Sequence, residues 1–143
     1  MTGTDILDTL ALPRKRNMPP ILILEDEPFI ALDIETNLEE CGQRSFVTLA
    51  TSSDALSWLK ENSPSAAIVD PRLSDGVCTA VARHLVEGDI PFIVYSGESE
   101  SVSEMEPAFA EGHLLMKPAS PEQLVEAIET ALYGSNCRRK SGT

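Results

Sequence analysis

The chain has 143 residues, 42% of them apolar and 24% charged, with 11 Lys and Arg against 23 Asp and Glu for a net charge of -12. This length and balance describe one soluble globular domain. The negative field excludes direct nucleic-acid binding and suits a cation or a basic protein surface. No apolar run is long enough to span a bilayer, and the N-terminus lacks a signal-peptide pattern. Three scattered cysteines, Cys41, Cys78 and Cys137, show no metal spacing and read as free thiols, Cys41 and Cys78 as small buried hydrophobes. The expected location is the reducing cytoplasm.

Residues 1–19 form an appendage. Ile6, Leu7, Leu10 and Ala11 fall at helical spacing with Thr4 as a cap, and the Arg14–Arg16 cluster and Pro19-Pro20 then break regular structure. The arm is either disordered or a short amphipathic helix that docks on its own domain or on a second subunit. The body, 20–133, alternates strand and helix. Ile21–Leu24 is an apolar strand ending in Glu25-Asp26-Glu27, and Pro28 opens a helix whose stripe is Ile30, Ala31, Ile34 and Leu38, ended by Gly42. Ser45–Ala50 is the second strand. Ser52 or Ser53 caps a helix burying Ala55, Leu56 and Leu59, with Trp58 at its edge.

Ala66–Val69 is the third strand, ending abruptly in Asp70-Pro71. Val77–Glu87 is a helix with Val81, Ala82 and Leu85 inward, closed by Gly88. Pro91–Tyr95 is the fourth strand. Glu98–Glu111 is a weaker helix interrupted by Pro107. His113–Met116 is the fifth strand, and Ser120-Pro121-Glu122-Gln123 is a capping box opening the last helix. That helix buries Leu124, Val125, Ile128, Ala131 and Leu132. From Gly134 a basic tail, 134–143, frays.

Five βα units with nearly all-apolar strands predict an α/β fold: a parallel five-stranded sheet with helices on both faces. Right-handed crossovers favour the flavodoxin-like order 2-1-3-4-5, with its site where strands 1 and 3 adjoin. In that order Glu25 and Asp26 face Asp70. Three carboxylates in one crevice require a cation, and the all-oxygen set calls for Mg²⁺. Strand 4 delivers Ser96 beside Gly97 to the same rim, and strand 5 delivers Lys117. A nucleophilic carboxylate, a cation site, a hydroxyl and an ammonium are the equipment for forming an aspartyl phosphate.

These stretches, Ile21–Pro28, Ile68-Val69-Asp70 with Leu73 and Asp75-Gly76, Val94–Gly97 and Met116-Lys117-Pro118, resemble the receiver domain of a bacterial two-component response regulator, of the CheY-like superfamily. The resemblance implies that Asp70 accepts phosphate from a sensor histidine kinase or histidine phosphotransfer protein. It implies that Glu25, Asp26, Asp70 and the Arg72 main-chain carbonyl hold Mg²⁺, that Ser96 is the switch hydroxyl, and that Lys117 is the phosphate counter-ion. Arg72 and Glu98 would flank the phosphoryl group and tune its hydrolysis, or be solvent-exposed charges. His84 and His113 have no phosphorelay role.

Several positions depart from the family pattern. Leu114 stands where an aromatic usually reports the switch, Pro71 follows the acceptor, Ala119 replaces a frequent aromatic, and Pro107 breaks the fourth helix. The expected protein is a non-enzymatic, single-domain response regulator. Only ten residues follow Tyr133, so no output domain is expected, and it signals by protein contact through the fourth-helix, fifth-strand and last-helix face, with a homodimer possible. Adaptor, relay intermediate and phosphate sink remain open roles. A haloacid-dehalogenase-like phosphohydrolase is the alternative, but its Asp-x-Asp signature is replaced by Glu25-Asp26-Glu27. A never-phosphorylated pseudo-receiver is another, and the intact acids, Ser96 and Lys117 argue against it.

Overall fold

A computed structural model of the chain describes residues 19–43, 45–97 and 106–142, with side chains to Gly134. The elements are β1 (Ile21–Leu24), α1 (Pro28–Glu40), β2 (Phe46–Leu49), α2 (Ser52–Leu59), β3 (Ala66–Val69), β4 (Arg72–Leu73), β5 (Gly76–Val77), α3 (Thr79–Glu87), β6 (Phe92–Ser96), a 3-10 turn (Pro107–Glu111), β7 (His113–Met116) and α4 (Pro121–Gly142). The main sheet has the order β2-β1-β3-β6-β7, and all of its pairs are parallel. With the β4–β5 hairpin set aside, this is the expected 2-1-3-4-5 order.

The strand pleat sends alternate residues to two cores. Leu22, Leu24, Ala67, Val69 and Val94 face α2, α3 and the 3-10 turn. Ile21, Ile23, Ile68, Ile93 and Tyr95 face α1 and α4. The inner strands β1, β3 and β6 are buried along their whole length, and each large aliphatic side chain buried there contributes about 1.5–3 kcal/mol. The edge strands differ from the all-buried expectation. β2 is half-buried throughout, and β7 buries only Leu115, because each has a neighbour on one side only.

The helices follow their predicted stripes with local corrections. α1 buries Ala31, Ile34 and Leu38, but also Asn37. α2 is capped by Thr51, whose side chain accepts the Asp54 N–H at 3.1 Å, not by Ser52 or Ser53. The expected helix from Val77 begins two residues later. Gly76 takes φ +115, which favours glycine, and lets Val77 pair antiparallel with Arg72; Cys78 becomes the N-cap. The Ser120–Gln123 capping box forms as read, with Gln123 N–H to Ser120 Oγ at 3.1 Å and Ser120 N–H to Gln123 Oε1 at 2.9 Å. Pro107 opens a separate 3-10 turn, and a break at Gly134 (φ 83, ψ 161) interrupts α4 at the point where the tail was expected to begin. Residues 1–18 of the expected 1–19 arm, most of the weak fourth helix with Glu98, and the side chains of Cys137 and the basic tail lie outside the described residues. Among the described residues, no helix is long and apolar enough to cross a membrane.

Candidate functional site: a carboxylate corner with a lysine

The parallel sheet aligns the carboxyl ends of β1, β3, β6 and β7 on one rim. Ladder bonds continue one step past the strands: Asp70 N–H donates to Leu24 carbonyl at 2.9 Å, Glu25 N–H to Leu49 carbonyl at 3.0 Å, and Lys117 N–H to Ser96 carbonyl at 2.9 Å. Backbone register therefore sets Asp70 beside Glu25, and Lys117 beside Ser96. Carboxylate oxygens of Glu25, Asp26 and Asp70 all lie within 4.8 Å of one another. Glu25, Asp70 and Ser96 are buried.

Lys117 bridges the carboxylates. Its Nζ is 3.0 Å from Asp70 Oδ2 and 3.1 Å from Glu25 Oε1. The other Asp70 oxygen, Oδ1, accepts the Arg72 N–H at 3.0 Å. Glu25 Oε2 accepts the Glu27 N–H at 3.1 Å. Burial pushes the Glu25 carboxyl above its ordinary range; Lys117 opposes that rise and the Asp70 charge adds to it. Burial works against the Lys117 charge as well, but hydrogen bonds to Asp70 and Glu25 outweigh it and raise the ammonium above its ordinary value.

Three carboxylates against one ammonium leave the corner two negative charges in excess. Glu25 Oε1 is buried and meets the Lys117 ammonium at 3.1 Å. A clustered all-oxygen donor set and this excess charge fit a hard divalent cation.

Sequence reasoning missed several partners. Tyr95 is buried; its hydroxyl accepts the Ala119 N–H at 3.1 Å, and its ring lies 5.5 Å from Lys117 Nζ. It thus steadies both sides of the cis Lys117–Pro118 bond. An aromatic one residue before the strand-end serine was the available signal. Asp75 also has a role beyond its motif, since its carboxylate accepts the N–H groups of Ser52 and Ser53 at 3.1 and 3.2 Å and so caps α2 from the hairpin. Those bonds hold its carboxyl below the ordinary range. Cys78 donates its thiol to the Asp70 carbonyl at 3.5 Å, and burial first, then the Asp70 charge, pushes that thiol up to about 12. It is the inert buried sulfur expected, although at a cap and not within a helix.

Gly97 was expected to make room for the phosphoryl group. A Cβ built there meets no atom of the described residues within 4 Å, so the position opens onto free space. Leu114 is 43% exposed on the β7 edge, away from the two cores. His84 lies in the last turn of α3 and His113 at the exposed start of β7, both outside the carboxylate corner.

A doubly wound parallel sheet with paired acids, an aspartate, a hydroxyl and a lysine on one rim defines the receiver class of signalling domain. Residues 21–129 match the response regulator receiver domain family, and the chain belongs to it. It is 31% identical over 126 residues to the phyllosphere-induced regulator PhyR of Methylorubrum extorquens, covering 84% of this chain and 46% of that protein. The chain thus spans about half the length of this curated relative. Among solved structures it is similar to SdrG from Sphingomonas melonis Fr1, with 33% identity and a TM-score of 0.67 over 80% of this chain and 97% of that one. The fold is shared with the receiver domain of the sensor histidine kinase PA1611 from Pseudomonas aeruginosa, at 20% identity and a TM-score of 0.69, over 80% of this chain and 98% of that one. That protein holds a magnesium ion coordinated in its active-site cleft.

Proposed function

We propose that this receiver domain is phosphorylated on Asp70 by a phosphohistidine of a sensor kinase or phosphotransfer protein, and signals by protein contact. The observation that carries this reading is the Lys117 bridge, an ammonium 3.0 Å from the one strand-end aspartate that adjoins two further acids. A carboxylate oxygen of Asp70 attacks phosphorus in line; the P–N bond to the histidine breaks as the P–O bond forms, and the imidazole leaves with the electron pair. Asp70 exchanges its own charge for that of the phosphoryl group, so Lys117 keeps an anionic partner by turning from Oδ2 to a phosphoryl oxygen. Arg72 N–H orients the carboxylate through Oδ1. Ser96, buried at the end of β6, is the hydroxyl that receives the attached group. Glu25, Asp26, Asp70 and the Arg72 main-chain carbonyl would hold Mg²⁺, which when bound neutralises phosphoryl oxygens.

Exposed Phe29 and Leu32, one helical turn apart on α1, and exposed Leu114 and Met116 on β7 support protein partners on two faces near the rim. Leu114 in an exposed position supports a readout that does not use an aromatic there. A response regulator acting in the cytoplasm is the cellular setting this chemistry suits.

Incubation with acetyl phosphate and Mg²⁺, read by intact mass, tests the proposal. One added phosphoryl group is expected, absent from Asp70→Asn and absent without the metal. Phosphorylation that survives Asp70→Asn refutes the assignment, and many turnovers on a phosphomonoester would favour the hydrolase alternative.

A further inference from the structure

Tyr95 directly precedes Ser96 on β6, and its register partner on β7 is Leu115. Leu115 lies two residues before Lys117, and Ala119 two residues after it. The Tyr95 ring is buried in the core with Ile93, Leu115 and Leu124. Its hydroxyl accepts the Ala119 N–H at 3.1 Å. Strand pairing on one side and a hydrogen bond on the other therefore fix this ring against both main-chain flanks of Lys117.

The Lys117 side chain is a flexible four-carbon stem, 19% exposed. Its ammonium meets Asp70 Oδ2 at 3.0 Å, Glu25 Oε1 at 3.1 Å and the Tyr95 ring, whose centroid is 5.5 Å away. The two carboxylates are the partners that phosphotransfer changes: Asp70 becomes bonded to phosphorus, and both acids share their charge with a bound cation. The ring keeps its charge distribution and its place throughout. Its negative face attracts an ammonium more strongly where water is partly excluded, as it is here. We propose that Tyr95 is a positioning residue for phosphotransfer, holding the Lys117 ammonium within reach of the incoming phosphoryl oxygens while its carboxylate partners are engaged elsewhere. This inference rests on the aspartyl-phosphate reading of the corner. An aliphatic side chain would fill the same core but offer the ammonium no face. Phenylalanine would keep the face and leave the Ala119 N–H without its acceptor.

A double-mutant cycle tests this, with initial rates of phosphorylation by acetyl phosphate and Mg²⁺ read by intact mass on the full chain. Tyr95→Leu should slow the wild-type rate about tenfold, and Tyr95→Phe about threefold. Each should change the rate by less than about twofold once Lys117→Ala is present, because the ring then has no ammonium to hold. A wild-type rate in both Tyr95 variants overturns the proposal. So does slowing of equal size with and without Lys117, which marks a residue that only supports the core. Should Tyr95→Leu fail to fold by circular dichroism, the Tyr95→Phe half of the cycle decides. A second readout needs no phosphoryl donor: the Lys117 Hε protons should show an upfield ring-current shift in the NMR spectrum of the wild type and of Tyr95→Phe, and lose it in Tyr95→Leu. Ordinary Hε shifts in both the wild type and Tyr95→Phe overturn the proposal. A wild type that takes up no phosphoryl group overturns the functional reading and this inference with it, whereas a phosphorylated wild type with additive variants overturns this inference alone.

Discussion

Asp70 and Asp75 stand five residues apart in one loop, yet they are held by different means. Asp70 is buried against the Lys117 ammonium and the Arg72 N–H. Asp75 is exposed and accepts from the first N–H groups of α2. Both carboxylates meet positive charge, one from a side chain across the sheet and one from a helix terminus. The consequences differ because the ammonium can transfer its attraction to an arriving anion, whereas the α2 donors are fixed in backbone. Asp70 thus stands where the proposed phosphorylation needs it, and Asp75 anchors the loop that presents it.

Substitutions divide these roles. Asp70→Asn should abolish phosphorylation by acetyl phosphate outright, measured by intact mass, while the chain stays folded by circular dichroism. Lys117→Ala should slow phosphorylation about 10²-fold, since it removes a preorganised positive group from the developing charge. In the absence of Mg²⁺ it should also weaken the fold in urea, because Glu25 and Asp70 would remain buried together without a counter-ion. A rate within twofold of wild type would show that the bridge is only structural.

The hairpin side should give smaller effects. Gly76→Ala places a side chain at φ +115 and should cost about 1–2 kcal/mol in urea unfolding, leaving phosphorylation detectable. Asp75→Asn should give the mildest change, visible as pH dependence. The Asp75 carboxyl is lower when folded than its ordinary value of 3.8. Its stabilisation is therefore fully present above that value and is lost as pH falls through the lower folded value. The Tm gap between wild type and Asp75→Asn should be constant at neutral pH and should close in acid below 3.8. A gap that widens in acid would reverse the assignment.

Much of the corner was legible because strand ends are legible. An apolar run broken by Glu25-Asp26, by Asp70, by Ser96 or by Lys117 marks both the strand and its terminal side chain. The capping box at Ser120 was equally readable, since its two partners lie three residues apart. The hairpin was less readable. Val77 fits a helical stripe by spacing, and only its pairing with Arg72 makes it a strand. The Thr51 cap was masked by two adjacent serines whose N–H groups serve Asp75 instead.

By itself the sequence determined the alternation of strands and helices, the parallel sheet and the set of residues on the rim. Those follow from local periodicity and from chain termini of short apolar runs. Tertiary structure alone decided which charges meet: that one ammonium serves both Asp70 and Glu25, and that Tyr95 supports it. Such pairings join residues up to 92 positions apart in sequence, from Glu25 to Lys117, and only sheet register brings them within 3.1 Å.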